Sequence, residues 1–148
     1  MVIKESVEGA NQVSSAMEDY LEQILHLINQ KGYARVVDIA SRLKISQASV
    51  TNMIQRLDTE GLVKYEKYRG MVLTEQGARL AENIVYRHRI LSEFLELFDL
   101  NKDTIYQDVE GMEHHTSPST LKVIEELTIQ IRKHPEIIKA VKQAGFRD

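Results

Sequence analysis

Glu110, Glu113 and His114 stand three and four residues apart in a segment whose apolar spacing predicts a helix, so two carboxylates and an imidazole share one helical face. Acids crowded in this way repel one another unless something cationic lies between them. Asp19 and Glu22 repeat the three-residue spacing near the start of an earlier helical segment, and His88 stands midway along a long one. Six hard or borderline donors are thus offered from three predicted helices. With no cysteine in the chain, a metal must be held by oxygen and imidazole alone. Four carboxylates neutralise two divalent ions, and two imidazoles add preference for transition metals over calcium and magnesium, a donor set that suits Mn²⁺. Taken singly, Asp19 with Glu22 also reads as an acidic pair stabilising a helix N-terminus, and His88 as a partly buried structural histidine. His115 points to a different side of its helix. His26 and His134 have no carboxylate cluster in register and read as structural, and Met112 reads as core.

The elements that position these donors follow from apolar periodicity and end signals. Met17, Tyr20, Leu21, Ile24, Leu25 and Ile28 predict a helix over Ser15 to Gln30, opened by a serine cap and closed by Gly32. Val36 to Leu43 predicts a second, short helix. Gln47 to Glu60 predicts a third, with Ser46 as N-cap, Gly61 as stop, and Val50, Met53, Ile54 and Leu57 on its apolar face. Leu62 to Lys67 and Met71 to Thr74 read as strands joined by a tight turn at Tyr68-Arg69-Gly70. A helix of about six turns begins after Thr74. Another is expected from about Lys102 to His115, and Ser117-Pro118 precedes two shorter ones split by His134-Pro135. The fold expected is mostly α: an N-terminal winged helix-turn-helix over residues 1–74, with three helices and a β-hairpin wing, then an all-helical domain over 75–148.

In a helix-turn-helix the second helix of the motif enters the major groove, where amide, guanidinium and hydroxyl side chains reach base edges and phosphates. Gln47, Ser49, Thr51, Asn52, Gln55 and Arg56 are the candidates for that contact. The wing carries Lys64, Lys67 and Arg69 beside Tyr65 and Tyr68, and Lys67 and Arg69 at its tip suit phosphates. Read alone, such a hairpin is equally an ordinary solvated turn. Charge favours the DNA reading, because Tyr33 to Thr74 holds seven Lys/Arg against four Asp/Glu although the whole chain sums to −3. No stretch is long and apolar enough for a membrane span and no signal peptide is read at the start, while the lack of cysteine fits a reducing cytoplasm.

From about Ser15 to Pro118 the chain resembles the DtxR-type metalloregulators, and within them the manganese-responsive branch. The resemblance rests on the runs Met17 to Ile24, Lys31 to Val36, Tyr65 to Gly70, Val85 to His88 and Asp108 to His115. It implies a binuclear site with two Mn²⁺ per chain, held by Asp19, Glu22, His88, Glu110, Glu113 and His114. In the iron-responsive branch a methionine stands where this chain has Asp19 and a cysteine where it has Glu113. That branch often also carries an SH3-like third domain, for which no residues are left here. Further implications are a homodimer formed through the helical domain, binding to palindromic operators in double-stranded DNA, and repression of manganese-uptake genes when the metal is plentiful. Met1 to Ser14 has no counterpart and is expected either to fray or to lie against DNA.

Readings from other classes fare less well. A dinuclear metallohydrolase needs an open pocket and further acid or base groups, and no second set is visible; the chain is not expected to be an enzyme. A winged-helix regulator answering a small organic ligand leaves the six donors unexplained. A winged helix used only for protein contacts leaves the polar third helix and basic wing unexplained. A sister regulator sensing Fe²⁺ or another divalent metal is the nearest alternative.

Overall fold

The computed structural model describes residues 13–146. Within them the order is α1 (Ser15–Lys31), α2 (Val36–Leu43), α3 (Gln47–Thr59), β1 (Val63–Glu66), β2 (Gly70–Leu73), α4 (Glu75–Glu96), α5 (Lys102–Met112), α6 (Pro118–Arg132) and α7 (Pro135–Ala144). Most of Met1 to Ser14, for which fraying or DNA contact was expected, lies outside the described residues. The chain divides into two compact units, Met1–Ala81 and Glu82–Asp148.

The first unit is a three-helix cluster with an antiparallel hairpin. Ser14 caps α1, its side chain accepting from the Met17 amide at 3.3 Å, so the cap is one residue earlier than Ser15. Gly32 ends α1 at φ 82°, the left-handed turn that glycine enters without steric cost. Ser46 caps α3 through the Ser49 amide at 3.2 Å. The apolar faces of α1, α2 and α3 meet in Leu21, Ile24, Ile39, Val50, Ile54 and Leu57, all fully buried. Leu62, Val63 and Met71 of the hairpin region extend that core.

The strands pair Val63 with Leu73 through Glu66 with Gly70, a shorter ladder than the sequence pattern suggests. Leu62 falls outside because its amide donates to Leu57 O and its carbonyl accepts from the Thr74 amide. The hairpin is tied to the α1–α2 link, since the Met71 amide donates to Ala34 O at 2.9 Å. Gly70 is required there: it has φ 95°, and a Cβ would stand 2.3 Å from the Ala34 carbonyl oxygen. The first unit extends into α4 because Ala81 is buried in its core with Leu80 packed against it. The Thr74 hydroxyl donates to Gly61 O and accepts from the Gly77 amide at 3.1 Å, joining the start of α4 to the end of α3.

The second unit holds the rest of α4 with α5, α6 and α7. Its buried cluster is small: Ile90, Leu91, Ile105, Val109 and Leu121. Val123, Leu127, Ile137, Val141 and Phe146 remain exposed on or beside α6 and α7. Helix α5 ends at Met112 rather than His115, and residues 113–115 form a turn. Met112, read from the sequence as core, is 42% exposed although it follows the buried Ile105 and Val109 by seven and three residues, because it is the last residue of α5, where the buried cluster ends.

Candidate functional site

Asn101 opens α5 by accepting from the Asp103 amide at 2.8 Å, and the buried Ile105 and Val109 set which way the helix faces. One turn after each core position comes a donor or its neighbour. Glu113 occupies the C-cap, yet keeps helical angles (φ −61°, ψ −30°) and donates its amide to Val109 O at 2.9 Å. The three-residue relation of Glu110 to Glu113 therefore survives although the regular helix has stopped. Glu110, Glu113 and His114 offer ligand atoms within 4.8 Å of one another.

Glu113 is fully buried, which is unusual for a carboxylate unless it is compensated. Its Oε2 lies 2.7 Å from His88 Nδ1 and its Oε1 3.6 Å from His114 Nε2. Oε1 has no hydrogen-bond donor among the described residues. A buried acid oxygen, flanked by two imidazoles and a second acid, is a donor arrangement that fits a divalent cation preferring oxygen and nitrogen. Four of the six expected ligands thus gather inside the second unit.

The other two sit on α1 in the first unit. Glu22 is buried and Asp19 half-buried, one turn apart on the same side of the helix, so neither is the freely solvated acidic pair that a helix start commonly shows. His26 Nε2 lies 3.5 Å from Glu22 Oε1, a single carboxylate one turn back and not a cluster. The signal was present in the sequence as an i, i+4 pair. His134 likewise pairs with Glu136 at 3.1 Å on the surface, and His115 is exposed.

Helix α3 buries Val50, Ile54 and Leu57 and exposes Gln47, Ser49, Asn52, Gln55 and Arg56, while Thr51 is half-buried. Ser49 Oγ is 2.8 Å from Ser46 Oγ, so that hydroxyl is already engaged at the cap. Lys64, Lys67 and Arg69 are exposed on the hairpin. Tyr68 is 88% exposed at φ 74°, with the Lys67 ammonium 5.4 Å from its ring centre and Arg69 3.7 Å from Glu66. Tyr33 and Arg35, which sequence reasoning passed over, are exposed and stacked at 4.8 Å on the link that meets Gly70 and Met71 of the hairpin. This is a polar helix face and a cationic hairpin on one rigid scaffold, the parts from which winged-helix proteins build a DNA interface.

Residues 12–71 match the model of the iron dependent repressor N-terminal DNA binding domain, and residues 74–140 that of the iron dependent repressor metal binding and dimerisation domain. The chain belongs to the iron dependent repressor family. Like other members, it is a metal-dependent, DNA-binding transcriptional repressor with a dimerisation domain. Among its iron dependent repressor relatives, it is 46% identical over 133 residues to the HTH-type transcriptional regulator MntR of Geobacillus thermodenitrificans, covering 90% of this chain and 94% of that one. To MntR of Bacillus subtilis it is 49% identical over 112 residues, 76% of this chain and 79% of the relative.

Solved structures agree on the fold. The manganese regulator SloR superposes with a TM-score of 0.67 at 28% identity over 75% of this chain. A manganese-dependent transcriptional repressor in complex with manganese gives 0.63 at 26% identity over 76%. The chain spans about half the length of those two proteins, 52% in each case. No helix among the described residues is long and apolar enough to cross a membrane.

Proposed function

We propose that this repressor is activated by Mn²⁺ and that, as a cytoplasmic homodimer, it binds palindromic operators of manganese-uptake genes. The observation that carries the reading is the fully buried Glu113 carboxylate held between His88 and His114, with Glu110 alongside and no cysteine in the chain. Kinship with MntR relatives at 44–49% identity supports manganese over iron. In this proposal Asp19 and Glu22 complete the ligand set with His88, Glu110, Glu113 and His114, which hold two ions per chain. The exposed apolar side chains of the helical unit, with its small core, support burial against a second copy.

When bound, the metal supplies the positive charge that offsets four carboxylates. Without that charge nothing ties α1 to the other donors, and the DNA-binding units of a dimer sample many orientations. With it, Asp19 and Glu22 anchor α1, and the two α3 helices are held at the spacing of two half-sites, about one DNA turn or a multiple. The coupling is worth about 1–3 kcal/mol.

Incubating the protein with fragments of its own genome, with Mn²⁺, with anaerobic Fe²⁺ or with chelator, then sequencing what is retained, tests the proposal. Recovery of a palindrome beside transporter genes only with Mn²⁺ is expected. Recovery with Fe²⁺ alone makes this an iron sensor, and equal retention with chelator removes metal control.

On an operator so identified, Lys67→Ala and Arg69→Ala each reduce the slope of log K against log salt by about 0.9, because each removes one phosphate contact. Arg56→Ala and Gln55→Ala instead cost about 1–3 kcal/mol on the true site and relax base preference, because they remove contacts to base edges. Fluorescence anisotropy across a salt series separates the two behaviours. Equal losses on operator and random DNA for Arg56→Ala and Gln55→Ala would move both residues to the backbone-contact class.

A further inference from the structure

We propose that Arg87 is the positioning residue of the metal centre, arranging Glu113 and His114 against His88 before any metal arrives; this rests on the metal-binding role proposed for those three. The guanidinium Nη1 donates to the Glu113 backbone oxygen at 3.0 Å. That carbonyl belongs to the last turn of α5, where carbonyls have no partner within the helix and the backbone dipole presents its negative end. A half-buried arginine therefore meets both a hydrogen-bonding and an electrostatic need at this point.

The geometry on α4 sharpens the assignment. Arg87 and His88 are consecutive, and they grip the same residue in two places: Arg87 holds the Glu113 backbone at 3.0 Å and His88 its carboxylate at 2.7 Å. One attachment would leave the end of α5 free to pivot about the contact. Two attachments fix both where Glu113 sits and where its carboxylate aims, and His114 follows as the next residue in the chain. Arg87 Nε is buried and has no hydrogen-bond acceptor among the described residues. That donor's desolvation is uncompensated, so the arginine is held for what its far end does and not for complete satisfaction of its own groups. The role is distinct from ligation, since a guanidinium carries no lone pair for a metal.

The experiment compares the intact wild-type protein with Arg87→Met, which keeps the stem and removes the donor, and Arg87→Lys, which keeps a cationic donor. Free Mn²⁺ is followed by electron paramagnetic resonance, and amide exchange at Glu113 and His115 is followed in chelator. Arg87→Met is expected to weaken Mn²⁺ binding about 10- to 100-fold, the range for partners that orient ligands, and to speed exchange of those amides without metal. Arg87→Lys recovers most of both. Wild-type affinity and exchange in a folded Arg87→Met would overturn the proposal.

If Arg87→Met loses its helical circular dichroism, the wild-type protein decides. The Glu113 and His115 amides must already be protected in chelator, and protection appearing only with Mn²⁺ overturns the proposal. A wild-type protein that takes up no Mn²⁺ while its amides are protected in chelator counts against the metal reading and leaves the Arg87 contact standing.

Discussion

Glu113→Gln lowers Mn²⁺ affinity on the order of 100-fold or more while leaving the metal-free fold intact. Partners that merely orient ligands are worth about 10- to 100-fold, and removing an anionic ligand should exceed that. Glutamine matches glutamate in shape, so the fully buried position gains no cavity. In the absence of metal, glutamine keeps a side-chain oxygen for the His88 contact while the cost of desolvating a carboxylate is relieved, so the chelated protein should melt close to wild type. A 100-fold loss corresponds to about 2.7 kcal/mol, roughly the whole coupling available for activating DNA binding. Operator affinity should then no longer respond to Mn²⁺ at concentrations that saturate the wild type. Isothermal titration with Mn²⁺, thermal melting in chelator and anisotropy on operator DNA check the three parts. Undiminished Mn²⁺ affinity would remove Glu113 from the ligand set. A collapsed melt in chelator would make its role structural.

Gly77→Ala should destabilise the first unit by about 2 kcal/mol net, although alanine in place of glycine inside a helix ordinarily favours folding by about 1 kcal/mol. Sterics win because a Cβ at Gly77 would stand 1.8 Å from the Leu62 carbonyl oxygen and 2.8 Å from its carbon. These are backbone atoms, which cannot rotate aside as a flexible side chain would. Relief requires the start of α4 to retreat, which breaks the Thr74 amide bond to Leu62 O and uncovers Leu62 and Val63. Overpacking of this kind typically costs about 1–3 kcal/mol, and the lost hydrogen bond adds about 1. Differential scanning calorimetry in chelator should show a drop of roughly 10 °C or more. An unchanged melt would mean that the junction between hairpin and α4 yields without cost. Because the same junction carries the wing, DNA affinity at saturating Mn²⁺ should fall with the melt.

Much of this was legible in the chain before any coordinates. Helix α2 spans the residues its apolar spacing indicates, and α3 opens at the Ser46 cap and buries Val50, Ile54 and Leu57. Gly32 closes α1 as a left-handed cap. These are features decided within one helical turn, where neighbouring residues alone set the outcome. The end of α5 was less legible, because the spacing of Glu110, Glu113 and His114 is the same whether the chain is regular helix or a helical-angled cap followed by a turn. Met112 was misread because the heptad-like pattern of α5 does not say how many neighbours its unit will supply to cover it.

The sequence by itself determined which donors the chain offers, the faces of α1 and α3, and the polar and basic character of the recognition helix and hairpin. Tertiary structure alone decided that Glu113 is the fully buried acid, that His88 and Arg87 both grip it across some 25 residues of chain, and that Gly70 and Gly77 admit no side chain. The physical reason is range. Caps, turns and helix faces follow from covalent geometry and bonds between residues three or four apart. Which distant backbone approaches within van der Waals contact, and which carboxylate loses its water, depends on how whole elements pack.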